Sequence, residues 1–163
     1  GSAAGGGSAL GRPRGPMSIP VEVRRATIEE VIALRHAELR PGRARATACF
    51  AGDDAPTTLH VAAVLAGTVV GCASFVETST EPGRSYQLRG MATRADLARR
   101  GVGRALLCFA ETALWHDDPR PQLWCNARVG AIGFYERMGW TVTSAEFDVP
   151  DVGPHRRMER RPD

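Results

Sequence analysis

The segment Arg99-Arg-Gly-Val-Gly-Arg104 contains the residue types that bind a phosphate or another anion. It opens a stretch with helical periodicity, and the first N–H groups of a helix have no partner inside the helix. The helix dipole adds partial positive charge at the same end. Gly101 and Gly103 have no side chains, so an anion can approach the backbone beside the three arginines. The segment is therefore predicted to be a phosphate cradle.

The spacing excludes two familiar phosphate-binding loops. The ATP-type loop G-x-x-x-x-G-K-[ST] requires a lysine, but all 21 basic residues of this sequence are arginine. The dinucleotide fingerprint requires a third glycine at the position of Leu106. The alternative interpretation is that Gly101 and Gly103 permit only a tight turn and close packing.

Periodicity and turn residues around the cradle predict an α/β domain. Thr27-Ile-Glu-Glu30 is a capping box, which predicts a helix that ends near Leu39, before Pro41-Gly42. Gly90 lies inside a predicted strand, where a glycine marks a bulge or a close backbone approach. Residues 43–50 are ambiguous and are compatible with a short helix. Strands are predicted at 21–26, 59–65, 68–77, 85–92, 122–126, 140–144 and 154–160, and helices at 27–39, 98–116 and 131–138.

The chain has 163 residues, of which 43% are hydrophobic and 24% are charged. This length and composition indicate one globular domain. Residues 1–16 resemble an expression-vector linker, so residues 17–163 are expected to form the domain. Without Arg12 and Arg14 of that linker, 19 arginines face 18 acids. This balance disfavours nucleic acid and anionic membranes as partners, and no apolar run approaches the ~18 residues that cross a bilayer.

The four cysteines are scattered singly, without the paired spacing of a zinc site or a disulfide framework. They are expected to be reduced, mostly buried thiols of a cytoplasmic protein. Cys125 could act as a nucleophile, but no histidine adjoins it in the sequence.

The cradle and three further motifs resemble the GNAT superfamily of N-acetyltransferases. Phe134-Tyr-Glu-Arg-Met-Gly-Trp140 is similar to the family's F-Y-x-x-x-G-F signature, and Leu123-Trp-Cys-Asn126 is a second match. Gly153-Pro-His-Arg-Arg-Met158 resembles the P-H-x-x-M ending of a bacterial subgroup. The resemblance extends from about residue 21 to residue 160. It departs from the family pattern at Ala98, where the family has Gln or Arg.

The resemblance implies a mixed, mostly antiparallel sheet of six to seven strands, flanked by helices and splayed between strands four and five. In the family, acetyl-coenzyme A lies in that opening as co-substrate. The fourth strand contacts the acetyl and pantetheine groups, the cradle contacts the pyrophosphate, and the fifth strand and the following helix contact the rest of the cofactor. The residues assigned in this way are Met91, Ala92 and Thr93, then Arg99, Arg100, Gly101, Val102, Gly103 and Arg104, then Asn126 and Phe134.

The implied reaction is direct transfer of an acetyl group to a primary amine of a small molecule or peptide. The N–H of Met91 is expected to stabilise the oxyanion. Tyr135 either protonates the leaving thiolate or only packs and forms local hydrogen bonds. The base is His155, Glu77, or a chain of water molecules. A non-catalytic acyl-coenzyme A-binding regulatory module of the same fold is the alternative function.

The acceptor site is expected to be shaped by the first helix, residues 40–57, residues 78–84 and the tail around His155. Acidic residues in or near these segments either attract a cationic amine or belong to solvated loops: Asp53, Asp54, Glu77 and Glu81. The resemblance implies no metal and leaves a homodimer open.

Overall fold

The computed structural model describes residues 19–79 and 83–163, so the expected linker at residues 1–16 lies outside the described residues. Within these ranges one sheet contains eight strands. They are β1 (Glu22–Ala26), β2 (Leu59–Leu65), β3 (Thr68–Ser79), β4 (Ser85–Thr93), β5 (Gln122–Arg128), β6 (Thr141–Val142), β7 (Phe147–Val149) and β8 (Gly153–Arg160).

The sheet is mixed, and its one parallel pair among the described strands lies at its centre. The strand order is β1-β2-β3-β4-β5-β8-β6, and β7 pairs with β8 outside this path. Strands β4 and β5 run parallel, whereas the other described pairs are antiparallel. The predicted mixed α/β fold is confirmed, with eight strands instead of six to seven. The additional strand is β7, which has only three residues.

Three α-helices are described: α1 (Ile28–Leu39), α2 (Val102–Leu114) and α3 (Ile132–Arg137). The capping box of α1 is confirmed, since Glu30 N–H donates to Thr27 Oγ1 and Thr27 N–H donates to Glu30 Oε1. The prediction that α2 begins at Ala98 is wrong. Arg99 and Gly101 adopt φ values of 61° and 86°, which no right-handed helix contains, so α2 starts at Val102.

Helices α1 and α2 cover opposite faces of the sheet. Val31 of α1 packs against Ala62 in one buried cluster, while Leu106 of α2 packs with Val61 and Ala63 in another. Successive side chains of a strand point to opposite faces, so neighbouring residues of β2 belong to different clusters. Neither these helices nor α3 is long and apolar enough to cross a membrane.

The cysteines only partly match their predicted burial. Cys72 and Cys125 are buried, but Cys49 and Cys108 are exposed, and all four thiols are free. The expectation of mostly buried thiols is therefore correct for two of the four. The expectation was based on residue type alone. The exposure of Cys49 and Cys108 instead depends on how the loop after α1 and helix α2 pack.

The centre of β4 contains the bulge predicted at Gly90. Cys72 pairs with Ala92 and Ser74 pairs with Arg89, so one residue of β3 faces both Gly90 and Met91. Gly90 has a φ of 62°, and a Cβ there would lie 2.6 Å from Arg35 Nε. A side chain at this position would therefore be strained and would clash, which explains the glycine.

The parallel pair of β4 and β5 is short. Its register covers Ser85 with Gln122, Tyr86 with Leu123, and Gln87 with Trp124. Beyond these pairs β4 continues through its bulge to Thr93 and β5 continues to Arg128 without pairing with each other, while the other edge of β5 is paired with β8 from Leu123 to Arg128. The two strands therefore diverge, and the divergence opens the sheet where the site lies.

Candidate functional site

Two cavities meet at the opening between β4 and β5. The larger cavity, of about 920 Å³, lies toward the beginning of α2 and toward α3. The smaller cavity, of about 310 Å³, lies toward the end of α1 and the strands β5 and β8. Met91, Ala131 and Tyr135 line both cavities. A molecule that occupied the larger cavity would thus reach the smaller one at Met91 and Tyr135.

The larger cavity collects most of the residues predicted to bind the cofactor. The end of β4, the loop before α2 and the first turn of α2 form one wall, and α3 forms the other. The predicted residues that line this cavity are Met91, Ala92, Thr93, Arg99, Gly101, Val102, Gly103, Arg104 and Phe134. The cavity lining also includes Ala98, the position at which the chain departs from the family pattern.

The beginning of α2 has the geometry of an anion site. Gly101 is the N-cap, and no side chain caps the helix there. Ala105 N–H donates to Gly101 O at 3.0 Å, which is the first internal hydrogen bond of the helix. The backbone N–H groups of the turn before Ala105 therefore have no acceptor inside the helix. A Cβ on Gly103 would lie 3.1 Å from both Met91 Cε and Phe134 Cζ. Glycine at this position therefore permits close packing as well as access to the backbone.

Two predicted cofactor residues lie elsewhere. Arg100 does not line the larger cavity, and its carbonyl accepts a hydrogen bond from Ile19 N–H at 3.2 Å. Asn126 lines the smaller cavity. Conversely, Arg137 lines the larger cavity and was not predicted. Its spacing of three residues from Phe134 on α3 is the signal that could have found it.

Tyr135 is fixed where the two cavities meet. It is 8% exposed, and its ring packs against Phe134 and Trp140 with centroid separations of 5.2 and 5.4 Å. Its hydroxyl donates to Met91 Sδ at 3.5 Å. Burial raises the pKa of Tyr135 above its ordinary value, so the side chain is a neutral phenol at neutral pH.

His155 lies on β8 opposite Arg128 and lines the smaller cavity. It is buried, and its ring stacks on Phe147 of β7 at 6.1 Å. Its Nδ1 is 2.7 Å from Gly153 O. Because a carbonyl only accepts hydrogen bonds, Nδ1 carries the proton, and Nε2 of the neutral ring keeps its lone pair.

Glu77 is not brought to either cavity. Its carboxylate lies 3.5 Å from Arg84 Nε, and its backbone pairs with Tyr86 in the β3–β4 ladder. Neither cavity has Glu77 in its lining. The structure therefore does not support Glu77 as the base, because the strand end that carries it faces Arg84 instead of the site.

Of the two interpretations of the acidic residues, attraction of a cationic amine is not supported for Asp53 and Asp54. Asp53 is buried and forms two hydrogen bonds with Arg35, at 2.7 and 3.1 Å. Asp54 is exposed and does not line the smaller cavity, and Glu81 lies outside the described residues. The charged residues that do line this cavity are instead arginines, which were not predicted: Arg40, Arg89 and Arg128.

Three of the four segments expected to shape the acceptor site reach the smaller cavity. Leu39 comes from the end of α1, Phe50 from the loop after it, and Val149 and Val152 from the hairpin before His155. The described residues of the fourth segment, 78–79 and 83–84, do not line it. The hairpin includes β7, so the strand that was missed from the sequence forms part of this wall.

Comparison with known proteins gives one family and many structures with the same fold. A family model described as an acetyltransferase (GNAT) domain matches residues 43–159. The uncharacterized N-acetyltransferase YitI of Bacillus subtilis is 32% identical over 139 residues, which are 83% of this chain and 92% of that protein.

Two solved structures illustrate the similarity of fold. Escherichia coli ElaA matches with a TM-score of 0.72 at 15% identity, over 87% of this chain and 100% of that chain. An aminoglycoside 6'-N-acetyltransferase complexed with coenzyme A matches with a TM-score of 0.68 at 13% identity, over 87% of this chain and 99% of that chain. At these identities the two structures show a shared fold.

Proposed function

Because the chain belongs to the GNAT acetyltransferase family, we propose that it transfers an acetyl group from acetyl-coenzyme A to a primary amine by direct attack. The divergence of β4 and β5 carries this proposal. It places a large cavity beside the uncapped N-terminus of α2 and joins it to a second cavity at Met91 and Tyr135. Two substrates that enter from opposite sides would meet at these two residues.

The larger cavity fits a coenzyme with a phosphorylated end. The first turn of α2 offers backbone N–H groups and the positive end of the helix dipole, and Gly101 and Gly103 leave them accessible. Arg99, Arg104 and Arg137 add positive charge to the same lining. These residues would hold the pyrophosphate, while the end of β4 would hold the pantetheine arm. The neighbour solved with coenzyme A supports this assignment.

The residues at the junction suit acyl transfer. When bound, acetyl-coenzyme A supplies an activated thioester carbonyl. The N–H of Met91, in the bulge of β4, is the proposed donor to the carbonyl oxygen as negative charge develops there; such donors contribute about 3–4 kcal/mol in other enzymes. Tyr135 is the proposed donor to the leaving sulfur, because burial keeps its hydroxyl protonated.

Removal of a proton from the acceptor is assigned to His155. The amine must be neutral to attack, so its ammonium form has to lose a proton first. His155 lines the cavity opposite the coenzyme side, and its Nε2 has a free lone pair because Nδ1 donates to Gly153 O. A direct reaction without a covalent enzyme intermediate also agrees with Cys125, whose pKa burial raises to about 12, so that its thiol is a poor nucleophile.

The first test is binding of acetyl-coenzyme A. A ligand at 100 times its Kd stabilises the folded state by about 2.7 kcal/mol, so a clear rise in Tm is expected. The second test is release of free thiol from acetyl-coenzyme A with a panel of primary amines. Stabilisation with turnover supports the proposal, whereas stabilisation without turnover on any amine would favour the non-catalytic regulatory module. No stabilisation at millimolar ligand would contradict both functions.

A further inference from the structure

The smaller cavity is positively charged. Its charged lining residues are Arg40, Arg89 and Arg128, and none of the described residues that line it is an aspartate or a glutamate. Elsewhere on the described surface some arginines have acidic partners, as Arg84 has Glu77 and Arg157 has Glu159, whereas others, such as Arg25, form no ion pair with a described residue. Arg40, Arg89 and Arg128 form no ion pair with any described residue.

Arg89 and Arg128 lie close enough to Arg40 to affect it. Burial lowers the pKa of Arg40, and the charges of Arg128, Arg43 and Arg89 lower it further. Like charges held together without a counter-ion cost free energy, and an anion bound between them would remove that cost. The cluster is therefore arranged as an anion-binding surface and not as a set of structural ion pairs.

Three different elements hold this cluster in place. Arg40 follows the last residue of α1 and donates to Leu39 O at 2.9 Å. Arg89 precedes the bulge of β4, and Arg128 is the last residue of β5. The ring of Phe50 supports two of the guanidinium groups, with Arg89 Cζ at 4.7 Å from its centroid and Arg40 Cζ at 5.8 Å.

The nearby buried carboxylate cannot neutralise the cluster. Asp53 accepts two hydrogen bonds from Arg35, and it also accepts one from Phe50 N–H at 2.7 Å. It thereby fixes the backbone of Phe50, while its charge is matched by the buried guanidinium of Arg35. The positive charge of the cavity is therefore left for a ligand.

We propose that Arg40, Arg89 and Arg128 bind an anionic group of the acceptor, so that the acceptor is an amine that also carries a carboxylate or a phosphate. This inference rests on the proposed function, because it assigns the smaller cavity to the acceptor. Guanidinium groups bind both anions through paired N–H donors. Leu39, Phe50, Val149 and Val152 add apolar surface, which favours an acceptor with an apolar portion beside its anionic group.

The experiment measures kcat/KM for a panel of amino acids, each supplied in four forms. These are the free acid, the carboxamide, the decarboxylated amine and the aminophosphonate. The anionic forms are expected to exceed their neutral counterparts by about 10- to 100-fold, the range typical of hydrogen bonds to charged groups. Comparison of the free acid with the phosphonate shows which anion the cluster prefers.

Variants assign the preference to the cluster. Arg89→Gln and Arg128→Gln are each expected to lower the ratio of kcat/KM between anionic and neutral acceptors, through a higher KM for the anionic one. Arg104→Gln, in the larger cavity, is expected to raise the KM for acetyl-coenzyme A and keep the acceptor ratio. Arg25→Gln is the matched control, because Arg25 is exposed on the edge strand β1 and lines neither cavity.

Three outcomes would overturn the inference while the proposed function stands. Neutral amines could be used as well as their anionic forms, or the Arg89 and Arg128 variants could keep the wild-type ratio. These variants could also raise the KM for acetyl-coenzyme A instead, which would assign the cluster to the coenzyme. If no amine supports thiol release, the proposed function fails. Calorimetric titration of the free acids and carboxamides then decides the inference separately, because equal binding of the two forms contradicts it.

Discussion

The hydroxyl of Tyr135 donates a hydrogen bond to the sulfur of Met91 at 3.5 Å, which joins α3 to the bulge of β4. These two residues lie 44 positions apart in the sequence and border both cavities. The contact holds the phenol beside the backbone segment proposed to bind the reacting carbonyl. Under the proposed function, a leaving sulfur would compete with Met91 Sδ for this donor.

Replacement of Tyr135 by Phe is expected to lower kcat by about 100-fold or more, the lower end of the range for general acid catalysis. The KM for acetyl-coenzyme A should change little, because the ring and its packing remain. Steady-state kinetics and a thermal shift with acetyl-coenzyme A measure the two effects. Tyr86→Phe is the matched control, since Tyr86 is the other tyrosine of the sequence and its hydroxyl contacts Arg84. An equal loss in both variants would contradict the assignment.

Replacement of His155 by Gln is expected to lower kcat/KM for the acceptor by about 100-fold, the lower end of the range for general base catalysis, because an amide side chain cannot accept the proton of the ammonium group. Glu77→Gln should keep the wild-type kcat/KM, because the structure places Glu77 beside Arg84 and outside both cavities. A wild-type kcat/KM in His155→Gln would leave a water chain as the proton acceptor.

Breaking the buried pair of Arg35 and Asp53 is expected to destabilise the fold strongly. Replacement of Asp53 by Ala leaves an uncompensated buried guanidinium, and such changes cost about 3–5 kcal/mol. Urea unfolding measures the free energy change, with Asp54→Ala as the neighbouring control because Asp54 is exposed. Similar midpoints for the two variants would show that Arg35 finds water or another partner when Asp53 is removed.

Glu30 is expected to make stability depend on pH in acid. Hydrogen bonds from Arg24 and from the N–H of Thr27 lower the pKa of Glu30 from 4.5 to about 2 in the folded state. The unfolded chain therefore binds the proton of Glu30 more tightly than the folded chain does. The contribution of Glu30 to the free energy of unfolding is present above pH ~4.5 and is lost as the pH falls toward 2. Glu30→Gln should make the free energy of unfolding depend less on pH in this interval. The neighbouring exposed Glu29, changed to Gln, should not, and equal slopes for both variants would contradict the expectation.

The elements near the site could be predicted largely from local patterns. The range of β2 was predicted residue for residue, and the capping box of α1 and the bulge at Gly90 were found in advance. These features depend on the alternation of side chains, on cap residues and on a glycine conformation, all of which involve neighbours in the sequence. The predicted start of α2 was wrong because Arg99 adopts a positive φ, which its residue type does not indicate.

The parts of the site that were missed depend on contacts between distant segments. Asp53 was considered a partner for a cationic amine, but the packing of α1 pairs it with Arg35. Arg137 was not predicted to line a site, and α3 places it on the larger cavity. Strand β7 has three residues, too few for a pattern to indicate, and it exists because β8 pairs with it.

The sequence by itself determined the fold class, the position of the glycine- and arginine-rich segment at the start of α2 and that of the tyrosine of α3, because each follows from residue types at short spacing. The tertiary structure alone decided the charge of the smaller cavity. Arg40, Arg89 and Arg128 come from the end of α1, from β4 and from β5, and no local pattern relates them. Strand pairing and helix packing bring these guanidinium groups together and bury the carboxylate of Asp53 against Arg35, so that the cavity is positive.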